Sequence, residues 1–239
     1  MSKGLVLDLF AGAEGISKAC HKAGFKTRSY DIQQGPSGDL TDRDVLQGVV
    51  QLIEGKRVVG VFMGTPCTTF SCARDRNSRI RSRRFPWGLP DLPERLQAQV
   101  LQGNRLARAT LRILRACLAN GTPAVLENPA TSRLFLLPGL RRIMSSACAA
   151  YHIVDLCQYG ASWRKPTGLL FLNYSAQAIE HFVRPRCTPQ HGLCSKTKRK
   201  HIVLSGNAPE GIPWTRAAQV YPQILCKELS LALIRTSLV

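Results

Sequence analysis

The chain of 239 residues is 44% apolar, enough to bury one full core, and it carries 33 Lys and Arg against 15 Asp and Glu, a formal charge of +18. Such an excess points to a polyanionic partner, nucleic acid foremost, with a merely solvating basic surface as the plainer reading. No apolar run approaches the roughly 18 residues needed to span a bilayer. Nine cysteines, an odd number without a secreted-framework spacing and with no signal-peptide pattern ahead of them, predict reduced thiols and an intracellular monomer with one main domain and a small appendage.

The first strand pattern runs from Leu5 to Phe10, and the turn Ala11-Gly12-Ala13-Glu14-Gly15 leads into an amphipathic helix over residues 16–23. Strand, glycine turn and helix let backbone N–H groups approach a ligand closely. The spacing is not the dinucleotide Gly-x-Gly-x-x-Gly, which argues against NAD, and any tight βα turn favours glycine. A second strand over 26–30 ends on Asp31, about 20 positions beyond the turn, where a carboxylate can accept hydrogen bonds from ribose hydroxyls. Asp39 is a second acid for the same cleft or a plain loop acid, and Asp44 reads as the cap of a helix over 45–54.

An apolar run over 58–63 stops at Gly64-Thr65-Pro66-Cys67, so a buried strand breaks into a loop and delivers a thiol to the carboxyl edge of a sheet. By itself such a cysteine more often packs than reacts. Beyond Ser71, six arginines (Arg74, Arg76, Arg79, Arg81, Arg83 and Arg84) share a short stretch with one acid, Asp75. That density predicts a mobile loop that orders on a phosphate backbone, or else a solvated insertion.

A long helix over 93–119 ends at Asn120-Gly121, and the strand after it, over 123–126, opens into Glu127-Asn128-Pro129. A carboxylate and an amide at that strand end can meet Cys67 across one cleft. Next come a helix with Leu134, Leu140 and Ile143, a strand over 151–156, the loop Tyr159-Gly160 with Trp163-Arg164-Lys165, and a strand over 168–172.

Asp8-Leu9-Phe10-Ala11-Gly12, then Pro66-Cys67 with Phe70-Ser71, then Glu127-Asn128, then Tyr159-Gly160 before a basic cluster resembles, in content and order, the C5-cytosine DNA methyltransferases. The likeness covers roughly residues 4–173, with a weaker tail at Arg216-Ala217-Ala218 and Tyr221-Pro222, in a short form like those of phages and mobile elements. It implies an α/β fold: a Rossmann-like, mostly parallel sheet with an antiparallel strand near its C-terminal end. The implied division is a catalytic domain over 1–173, a small basic target-recognition segment over 174–213 and a C-terminal helix over 214–239. S-adenosyl-L-methionine would be the methyl donor, held by Asp8, Phe10, Gly12, Gly15, Asp31 at the ribose, Asp39 at the adenine amino group and Pro66. Cys67 would add to cytosine C6, as a thiolate is both a strong nucleophile and a good leaving group. Glu127 would assist at N3, Asn128 would brace the Cys67 loop and Lys165 would serve the flipped base. Ser71, Arg74, Arg79, Arg81, Arg83, Arg84 and Arg164 would hold DNA. Two departures stand out: Pro129 replaces an aliphatic residue, and Trp163, Lys165 and Thr167 stand where the family has Gln-x-Arg-x-Arg.

A cytosine-C5 RNA methyltransferase would use the same residues, and a catalytically silent basic binding module is the reading from another class. Phosphatase chemistry of the Cys-x5-Arg kind is excluded, because Ala73 stands where the arginine belongs. Cys187, His191, Cys194 and His201 have a spacing compatible with zinc, but ligands so scattered arise readily by chance and no metal is assigned.

Overall fold

The computed structural model describes residues 3–76, 78–183 and 185–236. Its centre is a six-stranded sheet of β1 (Leu5–Leu9), β2 (Lys26–Tyr30), β3 (Val58–Met63), β4 (Ala124–Pro129), β5 (Ala149–Asp155) and β6 (Pro166–Leu172), in the order β2-β1-β3-β4-β6-β5. The first four pair in parallel, and β6 runs antiparallel to both of its neighbours. This is the Rossmann-like, mostly parallel sheet, antiparallel near its C-terminal end, that the resemblance implies.

Both faces of the sheet are covered, which is why its central strands β1, β3 and β6 read as nearly unbroken apolar runs, while edge strand β2 stays polar. Leu7, Leu9, Val61, Met63, Leu126, Leu170 and Leu172 face a layer formed by α2 (Arg43–Glu54), α3 (Glu94–Ala119) and α4 (Pro138–Met144). Val6, Phe62, Val125, Leu169 and Phe171 face α1 (Gly15–Lys22), α5 (Ala176–Ile179) and α7 (Gln223–Thr236). A Cβ on Gly60 in β3 would lie 2.6 Å from a Leu233 methyl, so the missing side chain is what lets α7 seat on the middle of the sheet. No helix among the described residues is long and apolar enough to cross a membrane.

Three boundaries differ from the sequence reading. Asp42, rather than Asp44, caps α2, accepting the N–H groups of Asp44 and Val45. β4 extends through Pro129 because its partner β6 begins earlier, at Pro166, opposite the end of the ladder. Ala178, Ile179 and Phe182 are buried in the α1/α7 layer, so the basic appendage begins only after residue 182. From there to α6 (Trp214–Ala217) the described chain forms neither helix nor strand.

Candidate active site

In a sheet of this order the chain turns outward in opposite directions from β1 and β3, which opens a crevice at their carboxyl ends. Gly64 lies at that point, its N–H donating to Leu9 O at 3.0 Å. A Cβ there would come within 2.5 Å of the Tyr221 hydroxyl, so its absence lets the β1 edge, the Cys67 loop and the segment before α7 converge.

Cys67 is half-buried. Its carbonyl accepts N–H groups from Phe70 (2.9 Å) and Ser71 (2.8 Å), folding the loop into a turn. Burial pushes its thiol up, Lys165 pulls it down and Glu127 pushes it up again. Fully buried Asn128 donates Nδ2 to Thr65 O at 2.7 Å, and Thr65 shares a 2.8 Å hydroxyl contact with Thr110 of α3, so the strut under Pro66-Cys67 spans two elements. Pro66 lies exposed on the rim.

Glu127 leaves β4 toward the same crevice. Tyr221 donates its hydroxyl to Glu127 Oε2 at 2.8 Å, and Lys165 Nζ stands 3.9 Å from Oε1 while donating to Ala218 O at 3.2 Å. Oε1 is buried with no hydrogen-bond partner. Tyr221 lies in the closing segment of the sequence likeness, but nothing local marks it as the brace of Glu127. Burial and that carboxylate raise its phenol well above the ordinary range.

Around the glycine turn, Phe10 (φ 57°) and Glu14 (φ 57°) both adopt left-handed backbone, a cost tolerated where the surroundings fix the turn. Asp31 accepts the N–H of Gly12 at 2.9 Å and of Gln33 at 2.9 Å, which fastens the β2 tip to the β1 turn. Asp39 is occupied by Thr41, through its N–H and its hydroxyl, both at 2.8 Å. Beside them Ile32 is 61% exposed, an apolar surface at the sheet edge that the sequence reading passed over. Asp8 is buried at the end of β1, where it lines a small cavity with Gly64, Glu127 and Tyr221, and its Oδ2 accepts Ser17 N–H of α1 at 2.9 Å; Gly15 packs against Cys226 of α7. Desolvation pushes the Asp8 carboxyl up to about 6.

The arginine stretch divides in two. Arg81 is fully buried, and its five donors are all used: Nε to Thr69 O (3.0 Å), one terminal nitrogen to Pro86 O (2.9 Å) and Asn104 Oδ1 (2.8 Å), the other to Thr69 Oγ1 (3.1 Å) and Val100 O (3.2 Å). The guanidinium also stacks 3.9 Å from the Phe70 ring. Arg81 is therefore not a phosphate ligand. It pins to α3 a loop whose charge suggested mobility, with Ile80 buried alongside. Arg74 is half-buried and donates to Gln99 at 2.6 Å, and Arg133 pairs with both carboxylate oxygens of Asp75. Arg76, Arg79, Arg83 and Arg84 are exposed, with Arg79 3.8 Å from Asp75 and Arg84 over Phe85; Ser71 is half-buried nearby. Arg164 is tied to buried Asp155 at 3.4 Å, and Thr167 is buried, so of the basic cluster after Gly160 only Lys165 reaches the crevice.

Comparison with known proteins adds little to this geometry. No family model matches the chain, and no curated protein does. Similar solved structures include the Entamoeba histolytica methyltransferase EhMeth (13% identity, TM-score 0.43, 88% of this chain and 62% of that one). The S. pombe Dnmt2 methyltransferase gives 16% identity and a TM-score of 0.41 over 79% of this chain and 57% of that one. A putative DNA modification methyltransferase encoded within an E. coli prophage gives 14% and 0.39 over 87% and 56%. The chain thus spans between half and two thirds of each. Likenesses this loose leave the chemistry to be read from this chain's own residues.

Proposed function

We propose that the chain is an S-adenosylmethionine-dependent methyltransferase that acts on C5 of cytosine in DNA. The observation that carries this reading is the convergence of Cys67, Glu127 and Lys165 on one sheet edge, with Glu127 Oε1 buried near Lys165 but without a hydrogen bond. A buried acceptor without a donor costs about 1–3 kcal/mol. Such a cost is recovered if a donor arrives with the substrate, and the N3/N4 edge of an extruded cytosine is a donor of the right kind.

The residues at the β1 and β2 ends fit the proposed methyl donor. Open space lies beside Gly12, where a Cβ would meet nothing within 4 Å, and Asp31, tied to Gly12 at the tip of β2, would accept hydrogen bonds from the donor's ribose hydroxyls. Ile32 offers apolar surface for a purine, and Asp39 lies on the neighbouring turn. When bound, the donor supplies an electrophilic methyl group.

The chain's own part is to make C5 accept it. Cys67, as thiolate, forms a bond to C6, and the displaced electron pair moves toward N3, where Glu127 stabilises or protonates the ring. C5 is then enamine-like and takes the methyl group. With the donor left as a neutral thioether, solvent water takes the C5 proton, the S–C6 bond breaks to return the thiolate, and N3 gives its proton back to Glu127 as the ring regains aromaticity. Lys165, beside both groups, favours the thiolate. Because the target carbon is stacked inside a duplex, the base must be extruded at a cost of a few kcal/mol, offset by contacts to the exposed arginines at the rim.

The test is incubation with labelled methyl donor and either DNA or RNA, followed by nucleoside analysis, with Cys67→Ser and Glu127→Gln alongside. Label in 5-methylcytosine from DNA, lost in Cys67→Ser, is the expected result. Label in RNA alone would change the substrate, and label in neither polymer would overturn the reading in favour of a binding module.

A further inference from the structure

The basic appendage has almost nothing to bury. Between residues 183 and 213 the buried residues among those described are Cys187, Cys194 and Ala208, and backbone pairing is limited to isolated bridges. Fixing a backbone costs about 1–2 kcal/mol per residue, which so small a buried surface does not offset. Some other cross-link has to hold it.

The two buried cysteines meet a third, Cys157, from the tight turn Leu156–Tyr159 that follows β5. Ligand atoms of Cys157, Cys187, Cys194 and His201 all lie within 4.8 Å of one another. Cys187 Sγ is 3.9 Å from Cys194 Sγ and 3.7 Å from His201 Nε2. Tetrahedral zinc with Zn–S near 2.3 Å and Zn–N near 2.0–2.1 Å places its ligand atoms about 3.5–3.8 Å apart. No disulfide joins these cysteines. His191, which the sequence spacing nominates, stands out of the group on an exposed turn with φ 51°. Cys157 takes its place, and no local spacing announces it.

We propose that Cys157, Cys187, Cys194 and His201 bind one zinc ion that staples the basic appendage to the loop carrying Lys165. Three buried sulfurs and one half-buried imidazole nitrogen, closely grouped, form a soft set that suits zinc over magnesium or calcium. Binding displaces one proton from each thiol, leaving three thiolates and a neutral imidazole around the divalent ion, with net charge −1. Donors are in place for that charge: Gln158 Nε2 lies 3.5 Å from Cys157 Sγ, and Ser195 Oγ lies 3.5 Å from Cys187 Sγ. Flanking bonds seat the site on the end of the sheet. Buried Asp155 accepts Cys187 N–H at 2.7 Å and Arg186 Nε at 3.1 Å, Lys196 donates to Gln158 O, and Ile202 N–H reaches Ser162 O at 2.9 Å. The inference does not depend on methyl transfer, because metal content is read without any activity.

The experiment is elemental analysis of the full chain purified without chelator, followed by cobalt substitution and absorption spectroscopy. One zinc per chain, and a cobalt spectrum with thiolate-to-metal charge transfer and tetrahedral d–d bands, are expected. Cys187→Ser and Cys194→Ser should lose the stoichiometric metal, whereas Cys148→Ser and His191→Ala should keep it. If the cysteine variants do not fold, the cobalt spectrum of the unaltered chain still decides. A chain that is metal-free after growth with added zinc and gives no tetrahedral cobalt spectrum overturns the proposal, as does a thiol count showing a disulfide within the group.

Discussion

Two stretches of this molecule run without a strand or a long helix, the loop from Cys67 to Pro93 and the appendage from 183 to 213, and both are strongly basic. They are held in opposite ways. The first turns one of its charges inward: Arg81 serves as a five-armed peg in α3, and Gly103 makes the room, since a Cβ there would lie 2.1 Å from Thr69 Oγ1 and 2.9 Å from Arg81. The second keeps its described cations at the surface and buries thiols instead. Charge density in a sequence therefore says that a segment will avoid an apolar core. It does not say which cations await a partner.

The sharpest way to break this contrast is to remove the peg. Arg81→Ala leaves buried carbonyl, hydroxyl and amide acceptors without donors and should lower the unfolding free energy by about 3 kcal/mol or more, while Arg83→Ala stays within about 0.5 kcal/mol. Urea midpoints measure both, and equal effects would mean that Arg81 does not hold the loop. Next in size is nucleic-acid affinity. Replacing Arg76, Arg79, Arg83 and Arg84 together with alanine should flatten the slope of log affinity against log salt by up to about 3.6 on duplex DNA, at about 0.9 per phosphate contact. An unchanged slope would move the backbone clamp to Lys196, Lys198, Arg199 and Lys200.

A chelator separates the segments more finely. Trypsin cleavage between 196 and 200 should quicken about tenfold when metal is stripped, the response to about 1.4 kcal/mol of lost closure, while cleavage at Arg83 and Arg84 stays constant. Acceleration at both places would deny a local staple. The smallest effect lies at Lys165, beside the Cys67 loop. Because burial raises the Cys67 thiol and Lys165 lowers it, single-turnover methyl transfer should climb with pH as thiolate forms. Lys165→Met should displace that climb to higher pH and slow the reaction a few-fold near neutrality. An unmoved profile would remove Lys165 from the electrostatics of Cys67.

The sheet was legible because its central strands obey a local rule: apolar runs that break at Gly64 and around Pro129 place Cys67 and Glu127 at strand ends, and Asp31, which ends the polar edge strand β2, lies along the same edge. What stayed hidden depends on partners far apart in the chain. Arg81 looks like its neighbours until Asn104 and Val100 of α3 are packed around it. His191 has the better spacing, yet Cys157 completes the sulfur group, because a turn after β5 lies against the appendage. Tyr221 reaches Glu127 only once Gly64 has left room for its hydroxyl. Asp8 sits in the motif that reads as donor-binding, and one of its oxygens also fastens the start of α1, a bond no local spacing announces.

The seating of Leu233 over Gly60 has a consequence for biosynthesis. One face of the sheet, including Val6, Phe62 and Val125, is closed by a helix translated after every strand it covers. Until the ribosome has released residues 223–236, that apolar face has only α1 and α5 to shield it, so the nascent chain depends on chaperones or on speed. A frameshift or stop codon before Gln223 would yield a sheet that is sticky on one side rather than a smaller folded domain.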